Sequence, residues 1–246
     1  MLLHWREKLK AFTLHLLISV LVITLFLLVI SQFWYPEALF KLENAWQGLQ
    51  ILIPVDAILG PLLTLIVFVP GKKSLKLDLS IIAALQVSAL IYGGILIYQQ
   101  RPIALAFVID RFETVLASES YASDIPLERF KDNKNSPLLT FVLPAQSVKE
   151  KSQFLLNGVN IKKRGERHYP IIENIELMKK VSIQPASLTL TTQEEKNRLA
   201  EFMKSYQSNK ALLLFPVQSS TYDAVILVLD SNTGVVDRYL DIYPWP

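Results

Sequence analysis

Residues 12–33 read FTLHLLISVLVITLFLLVISQF, an apolar run without a single Asp, Glu, Lys or Arg. As an α-helix this stretch would be roughly 33 Å long, which is enough to cross the hydrocarbon core of a bilayer. It is longer than the apolar region of a signal peptide, and the residues at its end offer no small-residue cleavage site. We therefore predict an uncleaved membrane-spanning helix over residues 12–33.

Two further apolar stretches predict spans at about residues 49–69 and 79–100. The first of these is interrupted by residues that bend helices or carry charge: Pro54, Asp56, Gly60 and Pro61. Prolines in a span free backbone carbonyls, which then need partners on neighbouring helices. The buried core of a soluble helical bundle is the alternative, but three separate runs of this length favour a three-span membrane domain at residues 1–101.

The distribution of charge indicates how the spans are oriented. The net charge of +3 lies within residues 1–101, because residues 102–246 contain 17 basic and 17 acidic side chains. Basic residues cluster before the first span and between the second and third: Arg6, Lys8, Lys10, Lys72, Lys73 and Lys76. By the positive-inside rule both clusters are cytoplasmic, so three spans place residues 102–246 on the outer side, the periplasm of a Gram-negative cell.

Residues 102–246 are sufficient for one compact domain, and their patterns predict an α+β fold. Apolar, partly β-branched segments predict strands at residues 103–109, 138–143 and 211–217. Residues 112–120 are interpreted as a short helix.

The end of this domain carries the clearest local signals. A threonine–glutamate pattern within residues 191–195 fits a capping box and predicts an amphipathic helix over Gln193–Gln207, in which Leu199, Phe202, Met203 and Tyr206 recur at helical spacing. Residues 224–229 and 235–240 flank a turn sequence, which predicts a C-terminal β-hairpin. The predicted fold is therefore three N-terminal transmembrane α-helices followed by a periplasmic α+β domain that ends in a hairpin.

Few residues suggest chemistry. Asp56 is the most unusual, because a carboxylate inside a span is costly and should face protein or water. A proton relay, an ion site, a contact to another helix and local pairing near the outer end of the span all remain open. Asp110 and Arg111 are interpreted as an ion pair at a strand end, and His168 as a solvated loop residue.

Motifs typical of enzymes are missing from the sequence. The chain has no cysteine, no G-x-S-x-G elbow and no phosphate-binding glycine motif, and its three histidines are widely scattered. We therefore expect no enzymatic activity, no cofactor and no metal. The absence of a basic domain argues against nucleic-acid binding.

Five strings along the first half of the chain form a combination typical of one family. They are WYP at residues 34–36, VDAILGPLLTLIVF at 55–68, PGKKSLKLDL at 70–79, YQQRP at 98–102 and DRF at 110–112. In this combination the chain resembles the type IV pilin accessory proteins of the TfpX/TfpZ type, which are bacterial inner-membrane proteins associated with pilin genes. The resemblance covers about the first 115 residues closely and the exported domain only in general layout.

The resemblance implies a non-enzymatic, chaperone-like protein of the inner membrane whose partners are the major type IV pilin subunit and the lipid bilayer. Its best-matching strings suggest partner-binding residues in the second span and after the third: Asp56, Gly60, Pro61, Arg101, Asp110, Arg111 and Phe112. We expect the exported domain to hold the pilin head while the spans dock its helix, because Gly60-Pro61 and Gly93-Gly94 permit close helix approach.

Two other functions remain open. A membrane-anchored sensor predicts a ligand-sized apolar pocket in residues 102–246. An envelope enzyme predicts converging titratable groups there.

Overall fold

The computed structural model describes residues 4–205, 211–221 and 223–245. They divide into two units, the first drawn from Met1–Tyr35 and Asn44–Gln99 and the second from Pro36–Glu43 and Gln100–Pro246. The segment Pro36–Glu43 connects the first two apolar helices, yet it belongs to the second unit.

The described residues form helices up to Gln99 and alternate between strands and helices after it. The helices are α1 (Trp5–Val29), α2 (Leu39–Leu42), α3 (Ala45–Pro54), α4 (Gly60–Val67), α5 (Leu75–Gln99), α6 (Val148–Leu156), α7 (Ile175–Lys179) and α8 (Gln193–Ser205). The strands are β1 (Pro102–Val108), β2 (Arg111–Leu116), β3 (Leu138–Val142), β4 (His168–Pro170), β5 (Leu212–Gln218), β6 (Ala224–Asp230) and β7 (Val236–Leu240).

Among its described residues, the first unit contains three apolar helical segments that are long enough to cross a membrane. Helix α1 continues through a π-helical turn to Trp34, and a second π-helical turn, Val55–Leu59, joins α3 to α4. Helix α4 packs against both α1 and α5. The prediction of three long apolar helices near the N-terminus is confirmed, and all three begin several residues earlier than predicted.

The second unit is built on a mixed seven-stranded sheet of order β4-β3-β1-β2-β5-β6-β7. Strand β1 pairs antiparallel with β2 and parallel with β3, and β2 pairs parallel with β5. The sequence signals for β1, β3, β5 and the β6–β7 hairpin correspond to strands in the structure.

The prediction of a helix at residues 112–120 is wrong, because Arg111–Leu116 forms β2. Val108 pairs with Arg111, so only Ile109 and Asp110 form the turn between the two strands. Ile109 adopts a left-handed backbone conformation with φ 64°. A β-branched residue rarely adopts this conformation, which explains why the sequence carries no recognisable turn signal.

Successive side chains of a strand point to opposite faces of the sheet, and the two faces have separate cores. One face carries Leu105 and Phe107 of β1, and the other carries Ala104 and Ala106. Residues outside the sheet cover the first face: Leu39, Leu42, Ile171, Ile175 and Met178. Helix α8 covers the β5–β7 part of the second face through Phe202.

Helix α2 therefore forms part of this core. Leu39 is 0% exposed and Leu42 is 1% exposed. Two polar contacts hold the same segment: Lys41 Nζ lies 2.7 Å from Asp241 Oδ2, and the Ser220 hydroxyl donates to Glu43 Oε2 at 2.7 Å.

Helix α8 begins with the predicted capping box. The Thr192 hydroxyl accepts a hydrogen bond from Glu195 N at 3.1 Å, and Glu195 Oε2 accepts from Thr192 N at 2.9 Å. The predicted helix also included Tyr206 and Gln207, which lie outside the described residues.

Candidate functional site

A polar cluster links the three apolar segments of the first unit. His15 of α1 lies 2.6 Å from the Thr64 hydroxyl of α4 through Nδ1, and 2.8 Å from Gln86 Oε1 of α5 through Nε2. Gln86 Nε2 in turn donates to the backbone carbonyl of Asp56 at 3.2 Å. In the neutral ring, Nε2 donates to Gln86 and Nδ1 accepts the Thr64 proton. One imidazole thus connects all three segments.

The backbone around Asp56 is shaped by prolines and glycine. Pro54 ends α3 and Pro61 lies at the start of α4, with the π-helical turn Val55–Leu59 between them. A methyl group at Gly60 would collide with the side-chain amide of Gln86. Glycine at this position therefore allows Gln86 to approach the broken helix closely enough to bond its backbone.

Asp56 is buried, and its Oδ1 atom has no hydrogen-bond partner among the described residues. The segment begins at Ala45, which places Asp56 about 17 Å along it, near the middle rather than the outer end. A π-helical turn in a helix often marks a functional position. A buried carboxylate oxygen without a partner in an apolar unit can accept a hydrogen bond from a donor that comes within range.

The other glycines singled out from the sequence lie against helices of the same unit. A side chain at Gly93 would collide with Leu52, and one at Gly94 would press on the ring of Phe26 at 3.3 Å. These positions therefore permit close packing among α1, α3 and α5.

Asp110 and Arg111 lie at the turn between β1 and β2. Asp110 Oδ1 accepts from Arg111 Nε at 2.8 Å and Oδ2 from Nη2 at 3.2 Å, so the predicted ion pair is formed. This bidentate contact is the main reason that the pKa of Arg111 is raised. The Arg111 guanidinium also lies 4.8 Å from the ring centroid of Trp245. The exposed side chain of Ile109 stands beside this pair.

The remaining two predicted site residues have different surroundings. Phe112 is fully buried and packs edge-on against Phe107 and Phe215, so its side chain belongs to the core. Arg101 precedes β1 at the end of the strand opposite the Ile109 turn, and its carbonyl accepts from Ala117 N at 3.0 Å. The structure therefore places Asp56, Gly60 and Pro61 in one segment and Asp110 and Arg111 beside one turn, while Phe112 lies in the core.

The interpretation of His168 as a solvated loop residue is wrong. It lies in β4, is fully buried, and contacts Thr140 Oγ1 at 2.8 Å and the Lys162 carbonyl at 2.9 Å. Burial lowers its pKa, so the ring is neutral. The surrounding sequence is charged, and the burial of one residue within it depends on contacts with distant strands.

Two of the hollows on the described surface of the second unit differ in size. One of about 200 Å³ is lined by charged and polar side chains such as Arg129, Asp132 and Glu173, besides Ile171 and Ile172. The other, of about 360 Å³, lies between α8 and β7 and is bordered by two arginines and two acidic residues. Both linings combine apolar side chains with charged ones.

Sequence reasoning missed His15 and Gln86 as members of the polar cluster. The available signal was an imidazole or amide side chain inside an otherwise apolar span. Like the carboxylate of Asp56, such a group is costly to place in the hydrocarbon region. It therefore needs a hydrogen-bond partner on a neighbouring helix.

Comparison with known proteins identifies relatives by sequence alone. No protein-family model and no solved structure matches the chain. The fimbrial assembly protein of serogroup I from Dichelobacter nodosus is 24% identical over 232 residues, which is 90% of each chain. The fimbrial assembly protein of serogroups C1 and C2 from the same organism is 32% identical over 114 residues, 46% of this chain and 87% of that relative. The serogroup E1 protein is 23% identical over 232 residues.

Proposed function

Because the chain belongs to the family of fimbrial assembly proteins, we propose that it is a membrane-anchored accessory factor that binds type IV pilin and promotes its assembly into surface pili. The observation that carries the proposal is the similarity to fimbrial assembly proteins over 90% of the chain. The three long apolar helices support a role at a membrane. Within the family we assign it to the TfpX/TfpZ type.

The proposed role is binding, in the manner of a chaperone, and includes no catalytic step or cofactor. Before assembly a pilin subunit is a membrane-held helix topped by a globular head. We propose that the first unit docks the pilin helix and that the second unit holds the head. The exposed apolar side chains of the first unit, such as Ile58, and the exposed turn at Ile109 are available for these contacts.

The proposed location is the inner membrane, with the N-terminus in the cytoplasm and the second unit in the periplasm. Pro36–Glu43 shares a core with residues that follow Gln100. Two segments that share a core lie on the same side of a bilayer, which is the arrangement that three spans require. The Lys72–Lys76 loop then lies on the opposite side, where the positive-inside rule favours it.

Lys8 supports the same topology. Its ammonium group donates to the Ile66 carbonyl at 3.2 Å, near the end of α4. The basic N-terminal region and the Lys72–Lys76 loop, which follows α4, therefore lie at the same end of the first unit.

The test combines a deletion with in-cell photocrosslinking of the full chain. A photoreactive residue is placed at Ile58 or Ile109, with Lys73 as the control on the opposite side. We expect pilin adducts from the first two positions, and lower pilin levels and fewer pili in the deletion strain. The proposal fails if neither position yields a pilin adduct and pilin levels are unchanged by the deletion.

A reporter fused after Pro246 tests the topology separately. A reporter that is active in the periplasm is expected. A cytoplasmic reporter would overturn the proposed orientation without deciding whether pilin is bound.

A further inference from the structure

Among the described residues, helix α6 packs against the rest of the second unit through one side. The Arg167 guanidinium forms an ion pair with Glu150 at 2.7 Å and lies 5.4 Å from the ring centroid of Phe154. It also donates to the Leu143 and Pro144 carbonyls, which precede the helix. Glu150 and Phe154 are one turn apart and share a face, so the opposite face of α6 is turned away from the unit.

That outward face carries Val148, Leu155 and Leu156, which we call the α6 stripe. Their exposed fractions are 84%, 74% and 86%. Single exposed apolar residues are normal on a protein surface. Three on one face of a nine-residue helix, none of them part of the described core clusters, indicate a surface that a partner covers.

Two lysines border the α6 stripe. At about 100° per residue, Lys149 projects on one side of the stripe and Lys151 on the other. Both side chains are exposed. Glu150 lies between them in sequence, but it is on the inward face and is held by Arg167. The outward face of α6 therefore carries three apolar side chains around the exposed Ser152, with one lysine along each border.

The size of the α6 stripe favours a weak and transient contact. A stable dimer buries about 1,200–2,000 Å² in total, far more than three side chains on two helical turns provide. A second copy of this chain is therefore disfavoured as the occupant. An accessory factor must release the subunit that it delivers, and a small interface suits that requirement.

The position of α6 favours a protein partner over lipid. Strand β3 runs parallel to β1, so α6, which follows β3, begins at the end of the sheet opposite Pro102, where the chain enters the sheet. Apolar side chains within a polar rim are typical of protein interfaces. The lysines make the surface complementary to carboxylates.

We propose that the α6 stripe is the docking surface for the pilin head, which it contacts at an apolar patch bordered by carboxylate side chains. This inference rests on the proposed function and names the surface that performs it. The apolar side chains supply the affinity, and Lys149 and Lys151 select an acidic partner and orient it.

The test uses the full chain in cells that produce pilin. A photoreactive residue at Leu155 or Leu156 is expected to give pilin adducts. The double substitution K149E and K151E, which leaves the core intact, should lower the adduct yield about tenfold, because the reversed charges repel the partner's carboxylates. Met203→Ser is the matched control, because Met203 is an exposed apolar residue on α8. It should leave the yield unchanged, and protease resistance of each variant checks that the unit is folded.

Each other outcome overturns the proposal in a recognisable way. Lipid adducts without pilin adducts would make α6 a membrane-surface helix, and self-adducts would make it an interface between copies. Pilin adducts from Ile58 or Ile109 but none from α6 would reject this surface while the proposed function stands. If no position gives a pilin adduct and deletion leaves pilin unchanged, the proposed function fails and this inference fails with it.

Discussion

Substituting Leu39 by Ala should destabilise the second unit, although Leu39 lies between the first two apolar helices. Its side chain is completely buried in the core with Leu105 and Phe107. The substitution removes three carbons, worth about 0.8 kcal/mol each in transfer from water, and leaves a cavity that adds to the loss. We expect the free energy of unfolding to fall by about 3 kcal/mol, within the ~2–5 kcal/mol range for buried Leu→Ala.

The assay is urea-dependent proteolysis of the full chain in native membranes, with cleavage of the second unit as the readout. With a denaturant slope of about 2 kcal/mol/M, the loss corresponds to a midpoint about 1.5 M lower in urea. Leu127→Ala is the control, because that leucine is exposed in the same unit. Lys41→Ala should cost less than about 1 kcal/mol, since the Lys41–Asp241 ion pair is largely exposed. Equal midpoints for Leu39→Ala and Leu127→Ala would refute the reasoning that α2 is part of the core.

Three further predictions concern single residues. Gly60→Ala should lower the thermal midpoint of the detergent-solubilised chain, because the new methyl group displaces the Gln86 amide; an unchanged midpoint would contradict this contact. Burial lowers the pKa of His168, so the unfolded chain binds a proton more readily than the folded unit does. The free energy of unfolding should therefore fall as the pH decreases below about 6.5. His168→Gln should weaken this pH dependence in the proteolysis assay. Backbone hydrogen bonds from Thr192 and Tyr243 lower the pKa of Glu195 to about 2, so its contribution is present above about pH 4.3 and is lost as pH falls towards 2. Because Glu195 is partly exposed and solvent screens its contacts, Glu195→Gln should cost only about 1 kcal/mol at pH 7 and little near pH 2.

The parts of the fold that could be predicted depend on local composition. An apolar run of some 20 residues is long enough to span a membrane whatever surrounds it, so the three helices of the first unit could be recognised. The capping box of α8 and the β6–β7 hairpin are likewise properties of short segments. Strand β2 could not be recognised, because its turn places Ile109 in a conformation that the residue type disfavours.

The candidate site was predictable only in part. Asp56, Gly60 and Pro61 are conspicuous in an apolar segment, and the structure shows how Gly60 admits Gln86. His15 and Gln86 are 71 residues apart. Each is noticeable as a polar side chain in its own apolar span, but which partner it contacts depends on how α1 and α5 pack. The exposure of the α6 stripe could not be predicted from the sequence either. Periodicity identifies an amphipathic helix, but it does not show whether the apolar face is covered.

The sequence by itself determined the three apolar helices, the charge asymmetry between the two parts and the strand and capping signals, because these follow from residue composition over short windows. Only the tertiary structure decided that Pro36–Glu43 belongs to the second unit, that His168 is buried and neutral, and that one imidazole connects three apolar segments. Each of these depends on contacts between residues far apart in the chain. Such contacts form through the burial of surfaces against each other, and no local pattern specifies which surfaces meet.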